Sequence, residues 1–199
     1  MNHLNLDYIF PQPIWWTDLN INLKKLEEFI YEFVEKTPTV NKSNRGEFNY
    51  QSSDFSGEQS IKDNNGFSIL FKEIKKYACK AFETYNTDVS KLRFSNAWIN
   101  ISNKGGYNEI HTHPGSIISG VYYIKIPNGN CGNIVFNRNP METYTIHSFG
   151  SLEETSHTYV TYTYPPKENR LFLFPSWLPH HVRENKTKND RISISFNFK

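Results

Sequence analysis

Apolar residues recur every three to four positions in the first half of this chain and every second position in the last. Leu23, Leu26, Ile30 and Phe33 stand about one helical turn apart and predict a helix over 22–36, capped by Asn20 or Asn22. Ile69, Phe71, Ile74, Tyr77, Ala78 and Phe82 predict a second helix over 66–86. Residues 7–16 predict an extended lead-in. Residues 37–65 are polar and rich in Ser, Asn and Gly, which predicts a loop with a short strand at Phe48–Tyr50. From residue 92 the texture changes. Short apolar or alternating runs cover 93–102, 108–113, 118–126, 133–137, 143–149, 158–163, 170–174, 179–183 and 190–198, separated by Gly, Asn and Pro. Many short punctuated strands predict a sandwich or barrel. The expectation is a mainly β chain of the α+β class, with N-terminal helices packed on one face of a double-sheet barrel.

Composition narrows the picture. A length of 199 residues suits one domain, or one domain with a short accessory segment. Aromatic residues reach 16%, enough to build a core from few aliphatic side chains. A formal charge of +2 with scattered Lys and Arg argues against nucleic acid or an acidic membrane as a charge-driven partner. No apolar run approaches a membrane span, and Met1–Asn5 lacks the pattern of a signal peptide. Cys79 and Cys131 make neither a disulfide framework nor a thiolate metal motif, so a cytoplasmic location is expected. Abundant Asn and Lys with few Ala suit an A/T-rich genome, such as that of a phage or marine microbe, and then the host cytoplasm.

The chemistry-bearing residues fall in three short stretches. His111-Thr112-His113 lies in a strand-like segment, and an i, i+2 pair on a strand points both rings to one face. An HxH pair of this kind can present two ligands to one metal; His180-His181 follows about 70 residues later, and on an extended chain at most one of the two can share it. In Arg191-Ile192-Ser193-Ile194-Ser195-Phe196-Asn197-Phe198 the polar residues alternate strictly with apolar ones. Arg191 can grip a carboxylate through its planar fork, with Ser193 adding a hydroxyl. Each stretch alone also suits plain solvent-facing polarity. Together they place metal ligands first and a carboxylate anchor about ten residues after the last ligand.

With these motifs the sequence resembles the 2-oxoglutarate- and Fe(II)-dependent oxygenase superfamily, and within it a group found in bacteria and phages. The resemblance rests on Phe10-Pro11-Gln12-Pro13-Ile14-Trp15, on Asn108–Ser116 followed by Ser119-Gly120-Val121-Tyr122-Tyr123, on Phe174–Val182 and on Arg191–Asn197. It implies a double-stranded β-helix (jelly-roll or cupin-like) core over 91–199, a helical support region over 1–90, and a single oxygenase domain over 1–199. It implies Fe(II) and 2-oxoglutarate as cofactors, with His111, His113 and His180 as the metal set. Arg191 would pair with the far carboxylate of 2-oxoglutarate, and Ser193, Tyr123, Ser119, Asn100 and Trp98 would line the cosubstrate pocket.

His113 stands where the superfamily's motif has an acidic residue. Three outcomes stay open: a three-histidine site, a two-histidine site completed by water or chloride, or a weak site for another metal. His113 is not small, which disfavours a halide site. The expected activity is a dioxygenase, with hydroxylation as its default outcome. The rivals are a cupin-like metal or small-molecule binder, a structural β-sandwich, and a three-histidine thiol dioxygenase. Arg191-Ile192-Ser193 speaks against the last. The substrate reads only as a small molecule or a peptide, and oligomeric state is not legible. Segments 37–65 and 138–157 are candidate lids, with Tyr144, Phe149 and Tyr159 as candidate contacts.

Overall fold

In a computed structural model, residues 10–40, 44–46, 49–147, 155 and 157–199 are described. The chain enters through strand β1 (Trp15–Asp18) and then helix α1 (Leu23–Glu35). Asn22 caps α1, its side-chain oxygen accepting from the Lys25 backbone N–H at 3.2 Å. Leu26 and Ile30 are buried one turn apart on its inner face. Strand β2 (Asn44–Arg45) and helix α2 (Gly57–Lys62) occupy the stretch expected to be loop, and β3 (Tyr50–Gln51) overlaps the short strand expected there. Polar composition hid β2 and α2, because a two-residue strand and a six-residue helix are too short to show a period. Phe48, expected in a strand, lies outside the described residues.

Helix α3 (Ser68–Glu83) carries the second stripe. Leu70, Phe71, Ile74, Ala78, Ala81 and Phe82 are buried, whereas Ile69 is exposed. The stripe therefore begins one residue later than the spacing suggested. Then follow β4 (Phe94–Ser102), β5 (Tyr107–His111), β6 (Ile118–Lys125), β7 (Ile134–Asn137), α4 (Pro140–His147), β8 (Thr161–Tyr164), β9 (Arg170–Pro175), β10 (His180–Val182) and β11 (Arg191–Phe198). Where a strand was expected over 143–149, residues up to His147 are helical in α4. Phe149 and the side chain of Tyr144 lie outside the described residues. No helix among the described residues is long and apolar enough to cross a membrane.

The strands form two antiparallel sheets, ordered β1-β9-β6-β11-β4-β3 and β2-β5-β10-β7-β8. This corrects the expected double-stranded β-helix. Among the described residues no backbone ladder joins one sheet to the other, and each sheet ends in open edge strands. The architecture is a mixed α/β fold of four helices and two open sheets, not a closed or curled jelly-roll barrel. Alternation along a strand fixes which side chains share a face. It does not fix which strand is the neighbour, and that neighbour decides closure.

Two apolar layers follow from this stacking. The larger lies between the helices and the six-stranded sheet and includes Ile30, Phe71, Ile74, Ile192, Ile194, Phe196 and Phe198. The smaller lies between the sheets and includes Val121, Tyr123, Ile134, Phe136, Phe172 and Phe174. β11 sits between β6 and β4 and is buried on both faces. Its apolar residues face the helices, so Arg191, Ser193, Ser195 and Asn197 turn into the space between the sheets. Phe71→Ala, which empties a ring packed between Phe55, Phe67 and Phe94, is expected to cost about 3–5 kcal/mol. Urea denaturation measures it, and a loss below about 1 kcal/mol would contradict this packing.

Candidate metal centre and the pocket behind it

β10 lies between β5 and β7, and its first residue, His180, pairs directly with His111 on one side and Phe136 on the other. The β5–β10 ladder then slips. His180 pairs with His111 but Val182 pairs with Asn108, so two steps on β10 match three on β5. This one-residue bulge lets Asn108 and His111 both face the cavity.

His113 arrives by a different route. β5 ends at His111, so the strand pleat does not carry His113 to the same face. Instead its backbone N–H donates to the Ser176 carbonyl at 2.9 Å, and its carbonyl accepts from Ser116 at 3.3 Å. The loop thus folds His113 back over the centre beside Trp98, with ring centroids 5.7 Å apart. The ligand atoms of His111, His113 and His180 all lie within 4.8 Å of one another.

Hydrogen bonds orient two of the rings. His111 Nδ1 lies 2.6 Å from the Glu109 carbonyl, and His180 Nδ1 lies 2.9 Å from the Leu178 carbonyl. A carbonyl only accepts, so each Nδ1 carries the proton and each Nε2 keeps a lone pair. His113 Nε2 sits 3.2 Å from His180 Nε2. Two nitrogens each about 2.0–2.1 Å from one ion can span such a distance. Burial, and then the neighbouring His111, pushes His113 down to about 4. Burial, followed by His111 and His113, holds His180 well below the ordinary histidine value. Both are therefore neutral at pH 7, the form that ligates metal. The cluster suits a first-row divalent cation. His181 turns away and meets Asn137 Nδ2 through its Nδ1 at 3.0 Å.

Behind the histidines the inner face of the six-stranded sheet is organised in rungs. Ser102 pairs with Arg191, and Asn100 pairs with Ser193, which pairs in turn with Tyr123. Trp98 pairs with Ser195, itself beside Val121. The same cavity is lined by the three histidines, Trp98, Asn100, Tyr123, Arg191 and Ser193. Ser119 is not brought there. It stands one rung beyond Val121 and Ser195, its hydroxyl bonded to Ser176 Oγ at 2.8 Å and to Asn197 Oδ1 at 2.7 Å.

Arg191 is only 2% exposed. Nη1 donates to the carbonyls of Cys131, Gly132 (3.2 Å) and Arg183 (3.3 Å), and Nη2 donates to Ser102 Oγ at 3.2 Å. Every one of these partners is neutral, so a buried positive charge faces the cavity without a counter-charge among the described residues. The buried Tyr123 hydroxyl and Asn100 Oδ1 have no hydrogen-bond partner among the described residues. Burial pushes the Tyr123 phenol up to about 12, against the pull of Arg191, so it remains a donor. A buried guanidinium with unpaired polar groups beside it suits a carboxylate.

Sequence reasoning missed Ser102, Asn108, Cys131 and Gly132. Gly132 has φ +88°, and a Cβ there would collide with the Arg183 carbonyl and lie 2.6 Å from Arg191 Nη1. Its place in Gly129-Asn130-Cys131-Gly132 marked a turn, but not one that wraps an arginine.

A family model described as "Putative 2OG-Fe(II) oxygenase" matches residues 96–197, just over half of the chain. The chain belongs to the 2OG-Fe(II) oxygenase superfamily. A prolyl-4-hydroxylase from Pseudomonas putida superposes with a TM-score of 0.63 at 11% identity, over 94% of this chain and 92% of that one. A viral collagen prolyl hydroxylase from Paramecium Bursaria Chlorella virus-1, solved with 2OG, gives 0.58 at 15% identity, over 93% and 94%. HygX from Streptomyces hygroscopicus, solved with nickel and 2-oxoglutarate, gives 0.58 at 11% identity, over 94% and 82%. At these identities the likeness is one of fold. No curated protein matches the sequence. Family membership and the three-histidine cluster together support oxygenase-type enzyme activity at a metal site.

The neutral histidines make the metal-free protein acid-sensitive. An unfolded histidine titrates near 6.5, whereas folded His113 titrates near 4. Between those values the unfolded chain binds protons that the folded chain does not, so stability falls as pH drops through that window. The expected loss from His113 is about 2–3 kcal/mol, with a further loss from His180. Urea midpoints at pH 7.5, 5.5 and 4.5 measure this, and His113→Gln should flatten the slope. An equal slope in both proteins would count against a neutral His113.

Proposed function

We propose that this chain is a 2-oxoglutarate- and Fe(II)-dependent dioxygenase acting as a hydroxylase on a small molecule or peptide. The observation that carries the reading is one cavity with neutral histidines at one end and an uncompensated buried guanidinium at the other. His111, His113 and His180 would hold the iron through their Nε2 atoms. Arg191 would pair with the far carboxylate of 2-oxoglutarate, with Tyr123 donating its hydroxyl to it and Ser193 and Asn100 lining the wall between. Bound iron and 2-oxoglutarate supply the oxidising chemistry: dioxygen is consumed, 2-oxoglutarate becomes succinate and carbon dioxide, and a substrate C–H bond becomes C–OH.

The rest falls to the chain's own residues. The Glu109 and Leu178 carbonyls fix the tautomers of His111 and His180, so the metal meets lone pairs without rearrangement. The Ser102, Cys131, Gly132 and Arg183 oxygens hold Arg191 in one orientation, so the cosubstrate meets a fixed donor array. Phe174 packs on His180 at 4.6 Å between centroids and Trp98 packs beside His113, which keeps water from two sides of the centre. The proposed unit includes the helical half, since α1–α3 cover the outer face of the sheet that carries Arg191.

Succinate formation from 2-oxoglutarate with Fe(II) and ascorbate tests the reading. Wild type is expected to turn over. His180→Ala should fall to background, and Arg191→Ala should lose roughly two to four orders of magnitude in kcat/KM for 2-oxoglutarate, since a charged pair broken in a buried site costs about 3–5 kcal/mol. His113→Ala should lose as much as His180→Ala. Retention of wild-type turnover in His113→Ala would remove His113 from the ligand set. Failure of wild type both to form succinate and to bind Fe(II) with 2-oxoglutarate would reject the oxygenase reading.

A further inference from the structure

The charges in the cavity do not cancel once the proposed ligands are counted. A divalent ion brings two positive charges, and Arg191 brings a third. Three metal-bound imidazoles are neutral. 2-Oxoglutarate brings two negative charges, so one positive charge is left over. Among the described residues the walls do not supply the missing anion. Burial holds the Tyr123 hydroxyl and the Cys131 thiol in their protonated forms. Among the described residues lining the cavity there is no Asp or Glu. Glu109, two residues before His111, is exposed and pairs with Arg45 at 3.2 Å instead.

The surplus sits at the histidine end. Arg191 and the far carboxylate balance one another, leaving the metal's two charges against the single near carboxylate. That end is also the accessible one, with His111 and His113 part-exposed and His180 and Arg191 buried.

From this balance we infer that the substrate is an anion, and that it places a carboxylate beside the three-histidine centre. The inference rests on the oxygenase reading and goes beyond it by naming the substrate class. A carboxylate fits better than a phosphate monoester because one charge closes the balance, while a phosphate dianion overshoots it. A unit charge about 5 Å away at an effective dielectric near 20 changes anion affinity by roughly two orders of magnitude. Solvent reaching His111 reduces this, so at least about tenfold is expected.

The test uses the full chain loaded with Co(II), without dioxygen, at saturating 2-oxoglutarate. Acetate, its neutral isostere acetamide, and inorganic phosphate are titrated separately, and binding is read from the visible absorption of Co(II). Wild type should bind acetate at least about tenfold more tightly than His113→Asp does, and acetamide should not distinguish the two. If His113→Asp fails to fold by circular dichroism, the wild-type comparison of acetate with acetamide and phosphate serves alone, and acetate should bind the most tightly of the three. Acetate binding equally to both proteins would overturn the inference, as would acetamide or phosphate binding wild type as tightly as acetate does. If 2-oxoglutarate leaves the Co(II) spectrum of wild type unchanged, the oxygenase reading fails and takes this inference with it. A response to 2-oxoglutarate without acetate selectivity sinks the charge argument alone.

Discussion

The structure turns on the burial of one guanidinium. Arg191 begins the strand that is buried on both faces, and its charge lies between the sheets rather than in water. Burying a charge without a paired anion costs several kcal/mol, and charge-assisted hydrogen bonds offset part of it. Four neutral oxygens provide them, from Ser102, Cys131, Gly132 and Arg183. They come from the end of β4, from the turn before β7 and from the segment after β10. Bringing them together constrains all three, and Gly132 shows how tightly: no side chain fits where its backbone approaches the arginine. The apolar half of β11, packed on the helices, holds the strand in place against that cost.

The two sheets divide the site between them. The six-stranded sheet carries Arg191, Tyr123, Asn100 and Ser193, while the five-stranded sheet carries His111 and His180 at matched positions of neighbouring strands. Neither sheet holds both ends of the cavity, so the site exists only where the sheets stack. His113 belongs to neither ladder. It is held by the turn that joins β9 to β10, through the Ser176 carbonyl, and Ser176 is tied by its hydroxyl to Ser119 and so to Asn197 on β11. The third histidine is thus tied through that turn to the six-stranded sheet, and Ser119, expected to touch the cosubstrate, is part of that tie.

The chemistry of the histidine cluster follows from residue type alone. Three histidines bring no negative charge, and none of the described residues lining the cavity is an Asp or Glu. The carbonyls behind His111 and His180 set the proton on Nδ1, and burial keeps His113 and His180 neutral. These features suit the cluster to a cation.

Period and motif were enough to read α1, α3 and the alternation of β11, and to nominate His111, His113, His180 and Arg191, which line one cavity, because a repeat or a spacing needs only neighbours along the chain. The family, too, was legible in those motifs. Three things were decided by the tertiary structure. The first was sheet closure: alternation says which side chains share a face, not which strand lies next door, and the strands formed two open sheets instead of a jelly-roll. The second was the polar stripe of β11, whose sequence suited solvent as well as the interior until the helices claimed its other face. The third was the set of oxygens around Arg191 and the tether on His113. These are backbone atoms and small hydroxyls far apart in sequence, and every residue carries the same backbone groups, so only folding could say which of them would meet.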